Sequence, residues 1–220
     1  MDKETFIKTY IDIETQTFVR AEKSKRLNEF IANLKLNNFN LSLGDTIDCI
    51  NYLQREKVTI RHPLFLNVFY PTLTAEIDKN NIDAIKSLIR LFEYYGNYQN
   101  LTSDNRFSVW KLLEQGLRLS PNDTELLRQY EQKQRDYFEY TLHEIPTGVI
   151  YGSDGATIEQ CEELLNDLAK YKVVCEKLKV DNEELVAECK FFYSSYKDYL
   201  TIYKNYSSFG EYLDMNQSET

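Results

Sequence analysis

Residues 157–178 read Thr-Ile-Glu-Gln-Cys-Glu-Glu-Leu-Leu-Asn-Asp-Leu-Ala-Lys-Tyr-Lys-Val-Val-Cys-Glu-Lys-Leu, and this stretch decides the fold class. Thr157 and Gln160 have the spacing of a capping box, in which each side chain bonds the backbone of the other residue. Apolar residues then recur every three or four positions, the spacing of one helix face: Ile158, Cys161, Leu164, Leu165, Leu168, Tyr171, Val174, Cys175 and Leu178. The stretch therefore predicts a long amphipathic helix.

The same spacing of apolar residues continues through nearly the whole chain. It predicts helices over residues 3–36 (one long or two short), 45–53, 63–80 (two, or one kinked), 82–95, 104–117, 124–143, 157–178, 182–206 and 209–215. A second capping box is expected at Asp181 and Glu184, and Val58–Ile60 favours an extended conformation. With only seven glycines and four prolines, we expect an all-α fold. It is an irregular stack of antiparallel helical hairpins, with about nine to eleven helices and no sheet of note.

A glycine-rich segment predicts a boundary within the chain. Residues 145–156 hold three of the seven glycines, and a connection of about a dozen residues exceeds the usual length between packed helices. We expect a helical N-terminal part over residues 1–144 and a C-terminal helical hairpin over residues 157–215. The hairpin is expected to pack on the first part, so that the chain forms one compact domain.

The net charge of −9 arises in the second half of the chain. Residues 1–110 carry 14 acidic and 14 basic side chains, whereas residues 111–220 carry 21 acidic and 12 basic ones, together with 11 of the 17 tyrosines. This combination predicts a surface that receives a positively charged protein. It argues against binding nucleic acid or an anionic membrane.

The sequence favours a cytoplasmic protein. Its first residues are charged and lack the apolar core of a signal peptide. The longest strongly apolar stretch, near residues 64–70, is too short to cross a bilayer. The four cysteines form no C-x-x-C motif, and we expect buried, reduced thiols. We expect a monomer or a weak dimer.

No cluster of residues is typical of a catalytic or metal site. His62 and His143 are far apart, and neither lies in a metal-binding pattern. Arg135 and His143 resemble the Arg–His pair of the HEPN ribonucleases, but the seven residues between them exceed the spacing of that family. We therefore expect no enzyme activity, no metal and no cofactor. A deep pocket with either histidine beside carboxylates would favour an enzyme instead.

Candidate partner-binding residues lie in the acidic, tyrosine-rich C-terminal helices. Aromatic residues recur at helical spacing over residues 192–206. This pattern is consistent either with a buried core or with a binding surface. We expect burial of Phe192, Tyr196, Leu200 and Tyr203, with the other tyrosines on an exposed rim. Two residues of the glycine-rich segment, Tyr151 and Asp154, are also candidates. The full set of candidate partner-binding residues is Tyr151, Asp154, Glu162, Glu163, Glu183, Glu184, Glu188, Tyr193, Tyr199 and Tyr206. An ordinary solvated face, with lysines partly offsetting the acids, is the alternative interpretation.

In overall character the chain resembles the all-helical immunity proteins of bacterial contact-dependent growth inhibition and polymorphic toxin systems. Those are small acidic cytoplasmic proteins that plug the active site of a basic toxin, often a nuclease. The resemblance implies an inhibitor whose partner is a basic toxin domain. Residues 111–123 resemble a tetratricopeptide-repeat turn, which implies the alternative of a helical-repeat scaffold or peptide-sensing regulator, although the repeat period then fails.

Overall fold

The computed structural model describes residues 1–95, 106–144 and 157–217, and most of these residues are helical. They form ten helices and no strand, which confirms the predicted all-α fold and its number of helices. The chain divides into two compact units, unit 1 over residues 1–121 and unit 2 over residues 122–220. The division follows Pro121 and differs from the boundary that the glycines predict at residues 145–156.

The first three helices of unit 1 are α1 over Lys3–Gln16, α2 over Arg20–Leu36 and α3 over Leu43–Arg55. Residues 3–36 thus form two short helices, one of the two arrangements predicted. The side chains of Asp2 and Ser42 cap α1 and α3 by accepting backbone N–H groups. The chain leaves α1 at Thr17, which is extended and accepts a hydrogen bond from Arg26 at 2.5 Å.

Helix α4 is continuous over residues 62–77 and consists of His62–Leu64, the π-helical segment Phe65–Phe69 and Tyr70–Ile77. Pro71 has no N–H to donate and its ring crowds the preceding turn, so the wider π-helical turn before it keeps the helix unbroken. Helices α5 and α6 follow over Ile82–Tyr94 and Val109–Leu119. Val58–Ile60 forms no strand. The helix start predicted near residue 104 lies outside the described residues.

The core of unit 1 is apolar and rich in aromatic rings. Phe6 of α1 is fully buried, and its ring centroid lies 5.7 Å from that of Phe30, 5.1 Å from Phe39 and 6.3 Å from Phe69. These contacts join α1, α2 and α4. Burial of a large apolar side chain contributes roughly 1.5–3 kcal/mol, so this cluster stabilises the packing of all three helices.

The described part of unit 2 contains four helices: α7 over Thr124–Glu144, α8 over Ile158–Leu178, α9 over Glu183–Ile202 and α10 over Phe209–Gln217. Helices α8 and α9 form an antiparallel hairpin. Cys175 near the end of α8 contacts Asn182 before α9, while Glu162 near the start of α8 pairs with Lys197. Helix α7 packs on both helices of the hairpin and therefore belongs to unit 2.

The capping box that begins α8 is confirmed, because Thr157 N–H donates to Gln160 at 2.8 Å and Gln160 N–H donates to Thr157 at 3.2 Å. The capping box predicted at Asp181 and Glu184 is wrong. The N-cap of α9 is Asn182. Across the described ranges, every helix is too short or too polar to span a membrane.

Candidate functional site

Unit 2 carries a groove between α7 and the start of α9. Its volume is about 800 Å³, which is room for several side chains of a partner. Two leucines contribute apolar surface and five carboxylates contribute charge. The lining residues are Glu139, Leu142, His143, Asp181, Asn182, Glu183, Glu184, Leu185 and Glu188. These nine residues form the acidic groove.

The carboxylates of the acidic groove lack ion-pair partners among the described residues, although Lys172, Lys179 and Lys190 line an adjoining pocket with Asp181 and Glu183. Glu139, Asp181, Glu183, Glu184 and Glu188 form no ion pair within the described ranges. Glu184 and Glu188 are four residues apart on α9, where like charges destabilise a helix by about 0.2–0.5 kcal/mol. The groove therefore keeps a negative potential that a cationic partner would relieve.

The start of α9 explains why the sequence tolerates so many acids in one place. Asp181, Glu183 and Glu184 surround the first turn of the helix, where unpaired N–H groups carry partial positive charge. The Asp181 carboxylate accepts a hydrogen bond from Glu183 N–H at 3.2 Å. The helix terminus thus offsets part of the repulsion among the three acids.

A buried carboxylate holds the turn that carries these acids. Glu131 of α7 is 6% exposed, and its Oε1 accepts hydrogen bonds from the Tyr171 hydroxyl of α8 at 3.1 Å and from Asn182 Nδ2 at 3.0 Å. Arg135 donates to the same oxygen through Nε at 3.0 Å and through a second, shorter contact. Burial raises the pKa of Tyr171, so its hydroxyl remains protonated and able to donate. Glu131 therefore joins α7, α8 and the turn before α9.

Asn182 occupies the N-cap of α9 but does not cap it. Asparagine is preferred at this position because its side chain accepts an N–H group of the first turn, and losing such a cap costs about 0.5–2 kcal/mol. Here the side chain makes no capping bond. Its amide donates instead to Glu131 and, at 3.4 Å, to Cys175 Sγ.

The expectation for the tyrosines of α9 was partly wrong. Tyr193, expected on a rim, is fully buried, and its hydroxyl forms a short hydrogen bond with Thr141 of α7. Tyr203, expected in the core, is 50% exposed. The buried face of α9 runs through Cys189, Tyr193 and Tyr196 because that face meets α7 and α8. Tyr193 is therefore inaccessible to a partner. Partly buried positions are Phe192, Tyr199, Leu200 and Tyr206.

Five aromatic rings pack together where α9 ends and α10 begins: Tyr196, Tyr199, Tyr206, Phe209 and Tyr212. The closest pair is Tyr196 and Phe209, whose centroids are 4.8 Å apart. The ring of Tyr199 also lies 5.5 Å from Phe209 and 5.7 Å from Tyr212. The cluster fastens α10 to α9, so Tyr199 and Tyr206 have a structural role whatever else they contact.

The structure brings only some of the candidate residues together. Glu183, Glu184 and Glu188 line the acidic groove. Glu162 pairs with Lys197 at 2.7 Å, and Lys197 lies about 21 Å along α9 from Glu183 at the rise of an α-helix. Candidates near that opposite end of the hairpin are Glu162, Glu163, Tyr199 and Tyr206. Tyr151 and Asp154 lie outside the described residues.

His143 lies in the acidic groove near carboxylates, an arrangement that bears on the enzyme alternative. It is exposed, and it forms no hydrogen bond to a described residue. His62 lines a separate groove in unit 1 with Glu14 and Arg61. Within the described ranges, no three His, Cys, Asp or Glu side chains are grouped as a metal site. The acidic groove thus offers charge for binding, and its described residues include no hydrogen-bonded nucleophile and base.

Sequence reasoning missed Glu139, Asp181 and Asn182 as candidates, and it missed Glu131. A signal for Glu131 is present in the spacing of α7, whose buried face is formed by Leu127, Glu131, Gln134, Phe138 and Thr141. A carboxylate at a position on this buried face is predicted to have hydrogen-bond or ion-pair partners, because an unpaired buried charge is prohibitively unfavourable. No comparable signal joins Glu139 to α9, since that contact depends on tertiary packing.

Comparisons of the chain with protein-family models, with curated proteins and with solved structures give no match. Residue roles therefore cannot be transferred from a relative. The resemblance to immunity proteins stays a prediction, and the function has to be inferred from the site itself.

Proposed function

We propose that this chain is an acidic, cytoplasmic binding protein of the immunity type. It neutralises a basic partner, a toxin domain such as a nuclease, by covering the active site of that partner. The acidic groove is the contact surface. Its carboxylates pair with the cationic side chains that would otherwise bind nucleic-acid phosphates.

The observation that carries this proposal is the cluster of unpaired carboxylates from α7 and α9 around one groove. Unit 2, with 20 acidic and 10 basic residues, adds a long-range field of the same sign. Complementary fields raise association rate constants from about 10⁵–10⁶ to as much as 10⁸–10⁹ M⁻¹s⁻¹ at low salt. An inhibitor that must reach a toxin before its substrate does would gain from such rates.

The apolar residues of the groove suit the same partner. Leu142 and Leu185 are half-buried and lie among the carboxylates. Arginine and lysine combine an aliphatic stem with a charged head. A basic side chain entering the groove would place its stem against the leucines and its head against the acids.

Affinity purification with the tagged full chain from its native host tests the proposal. The expected result is a basic protein that co-purifies, loses its activity in the complex and associates more slowly as salt increases. Recovery of no basic protein, or association that is independent of salt, would contradict the electrostatic mechanism.

A matched pair of charge reversals tests the location of the contact. Glu188→Lys places a cation in the acidic groove, and Glu163→Lys makes the same change on α8 near the other end of the hairpin. Both glutamates are exposed, and neither has an ion-pair partner among the described residues. We expect Glu188→Lys to lower the association rate constant about tenfold at low salt and Glu163→Lys about twofold or less. The opposite ranking would move the contact to the start of α8.

A further inference from the structure

We infer that Glu131, Tyr171 and Asn182 form a latch that presets the carboxylates of the acidic groove. Glu131 is then a positioning residue for the binding site. The role of the groove in this inference rests on the proposed function. The latch itself is a property of the free protein and is testable without any partner.

The first support is that the latch joins three elements at one atom. Glu131 Oε1 belongs to α7, and its two neutral donors lie 40 and 51 positions later in the chain, on α8 and in the turn before α9. Because Glu131 is buried, water competes weakly for these hydrogen bonds. Hydrogen bonds to a charged group are also the stronger kind. The latch therefore restrains the turn more than a surface contact would.

The second support is the conformation of the turn. Only residues 179–182 separate α8 from α9. Lys179 ends α8 with a left-handed backbone, φ 56° and ψ 40°, in the common helix C-cap in which Val180 N–H donates to the Cys175 carbonyl at 3.0 Å. Asn182 adopts the N-cap position without using its side chain as a cap. The local preference for a side-chain cap is thus overridden at Asn182, and such a departure persists only where surrounding contacts enforce it.

The consequence concerns how the groove binds. Asn182 is flanked by Asp181 and Glu183, so holding its side chain fixes the backbone from which both carboxylates project. A site with a preset backbone loses less conformational freedom on binding than a site with a mobile backbone. Removing the latch leaves the charges, and thus the long-range attraction, unchanged. We therefore expect the latch to govern dissociation and the groove carboxylates to govern association.

Hydrogen exchange in the free protein tests the latch directly. The variant is Asn182→Ala, and the control is Asn166→Ala, which removes an exposed asparagine of α8 that has no described hydrogen bond. We expect amide exchange over residues 180–186 to accelerate about tenfold or more in Asn182→Ala, the factor for losing a hydrogen bond to a charged group. Exchange in α10 should not change. Equal exchange over residues 180–186 in the two variants would overturn the latch.

Binding kinetics test its role in the groove, with an oligo-arginine peptide as the probe. We expect Asn182→Ala to raise the dissociation rate constant about tenfold while changing the association rate constant about twofold or less. Glu188→Gln should instead lower the association rate constant and its dependence on salt. Slower association with unchanged dissociation in Asn182→Ala would overturn the positioning role.

Two further outcomes separate the latch from the proposed function. Glu131→Gln keeps an oxygen that accepts hydrogen bonds from Tyr171 and Asn182. The amide exchange rate over residues 180–186 should therefore differ less from the wild-type rate in Glu131→Gln than in Asn182→Ala. Faster exchange than in Asn182→Ala would contradict the assigned hydrogen bonds. If the wild-type protein binds no oligo-arginine peptide, the proposed groove fails as a binding site and the positioning role fails with it. The exchange result then still decides the latch.

Discussion

Unit 1 and unit 2 handle charge in opposite ways. Unit 1 carries 15 acidic and 16 basic residues, whereas unit 2 carries 20 acidic and 10 basic ones. In unit 1 opposite charges meet: Lys3 pairs with Asp45 and Asp48, each at 3.0 Å, and Glu14 pairs with Arg61 at 3.1 Å. In unit 2 the acidic groove has no such partner among the described residues. Unit 2 also has internal ion pairs, such as Glu162 with Lys197, but the carboxylates of its acidic groove are not among them.

The grooves of the two units show what this difference means for binding. A groove in unit 1 between α1 and α3 has a volume of about 570 Å³, in the same range as the acidic groove. It is lined by both signs of charge, with Lys3 and Lys8 beside Glu4, Asp12 and Asp48. Volume alone therefore does not distinguish a candidate binding surface. The two grooves differ in that the charged groups lining the acidic groove are carboxylates without ion-pair partners among the described residues.

The interiors are alike in one respect and differ in another. Each unit buries a carboxylate, Glu14 between Lys23 and Arg61 in unit 1 and Glu131 beside Arg135 in unit 2. The other buried polar residues among those described are hydroxyl side chains in unit 1 (Thr17, Thr46, Thr74 and Ser87), whereas unit 2 buries Gln134 and Thr141. Hydrogen bonds have direction, so a polar interior specifies the alignment of helices more tightly than apolar contact does. Unit 2 combines such an interior with the exposed acids, and the latch is where the two meet.

The largest expected effect comes from removing one central ring in each unit. Phe6 and Phe138 are both fully buried, and each contacts neighbouring aromatic rings. We expect Phe6→Ala and Phe138→Ala each to lower the free energy of unfolding by about 3–5 kcal/mol, from lost apolar burial and the cavity left behind. Urea unfolding measures the loss, and hydrogen exchange by helix assigns it to a unit.

The two substitutions also show whether the polar interior of unit 2 supplies much of its stability. Phe138→Ala should accelerate exchange in α8 and α9, and Phe6→Ala should do so in α2 and α4. A loss of less than about 1 kcal/mol for Phe138→Ala would mean that hydrogen bonds rather than ring packing dominate in unit 2.

At alkaline pH we expect the free energy of unfolding to decrease, by less than in the Phe→Ala variants. The decrease should be greater for unit 2 than for unit 1. Burial raises the pKa of Cys49 in unit 1 to about 12 and those of Cys161 and Cys189 in unit 2 to about 11. Burial also raises the pKa of Tyr171 and Tyr193 in unit 2. The unfolded chain then loses these protons first, so the contribution of these groups to stability is constant below about pH 8 and falls as pH rises toward the folded pKa values.

Thiol labelling separates the two units in that experiment. Cys49 reports on unit 1, and Cys161, Cys175 and Cys189 report on unit 2; all four are buried and free. At neutral pH we expect labelling of all four to be far slower than that of an exposed cysteine. As pH rises above about 9, Cys161 and Cys189 of unit 2 should become reactive at a lower pH than Cys49. Earlier labelling of Cys49 would contradict the comparison.

The sequence predicts local structure well because local signals determine it. Helix α8 was expected over residues 157–178 and spans Ile158–Leu178, since its capping box and its apolar spacing act within a few residues. The tyrosines of α9 behave differently. They occur on more than one face, and the positions of α7 and α8 decide that Tyr193 is buried while Tyr203 is exposed.

In the candidate site, too, local features were predictable from the sequence and tertiary contacts were not. Three of its carboxylates, Glu183, Glu184 and Glu188, were predicted because they share one helix. Glu139 belongs to α7 and joins them only through packing. The boundary at Pro121 was missed for a similar reason. The sequence places three glycines in residues 145–156, but the contacts of α7 with α8 and α9 decide which unit α7 joins.

The smallest expected effect is a gain in stability, and it tests the charge difference between the units directly. Glu188→Gln in α9 removes one of two like charges four residues apart, so we expect the free energy of unfolding to rise by about 0.2–0.5 kcal/mol at low salt. The control in unit 1 is Glu29→Gln in α2, where Lys25 lies four residues before the glutamate and Arg26 three. That substitution removes attraction, so it should give no gain.

Thermal unfolding at low and high salt measures both changes. High salt should erase the gain of Glu188→Gln, because it screens repulsion between exposed charges. A gain that persists in high salt would point to a cause other than charge, and a loss at low salt would mean that Glu188 has a stabilising partner. If Glu188→Gln both raises the free energy of unfolding and slows association with a basic partner, the unpaired carboxylates lower the stability of unit 2 and promote binding, a trade-off that is common at binding sites.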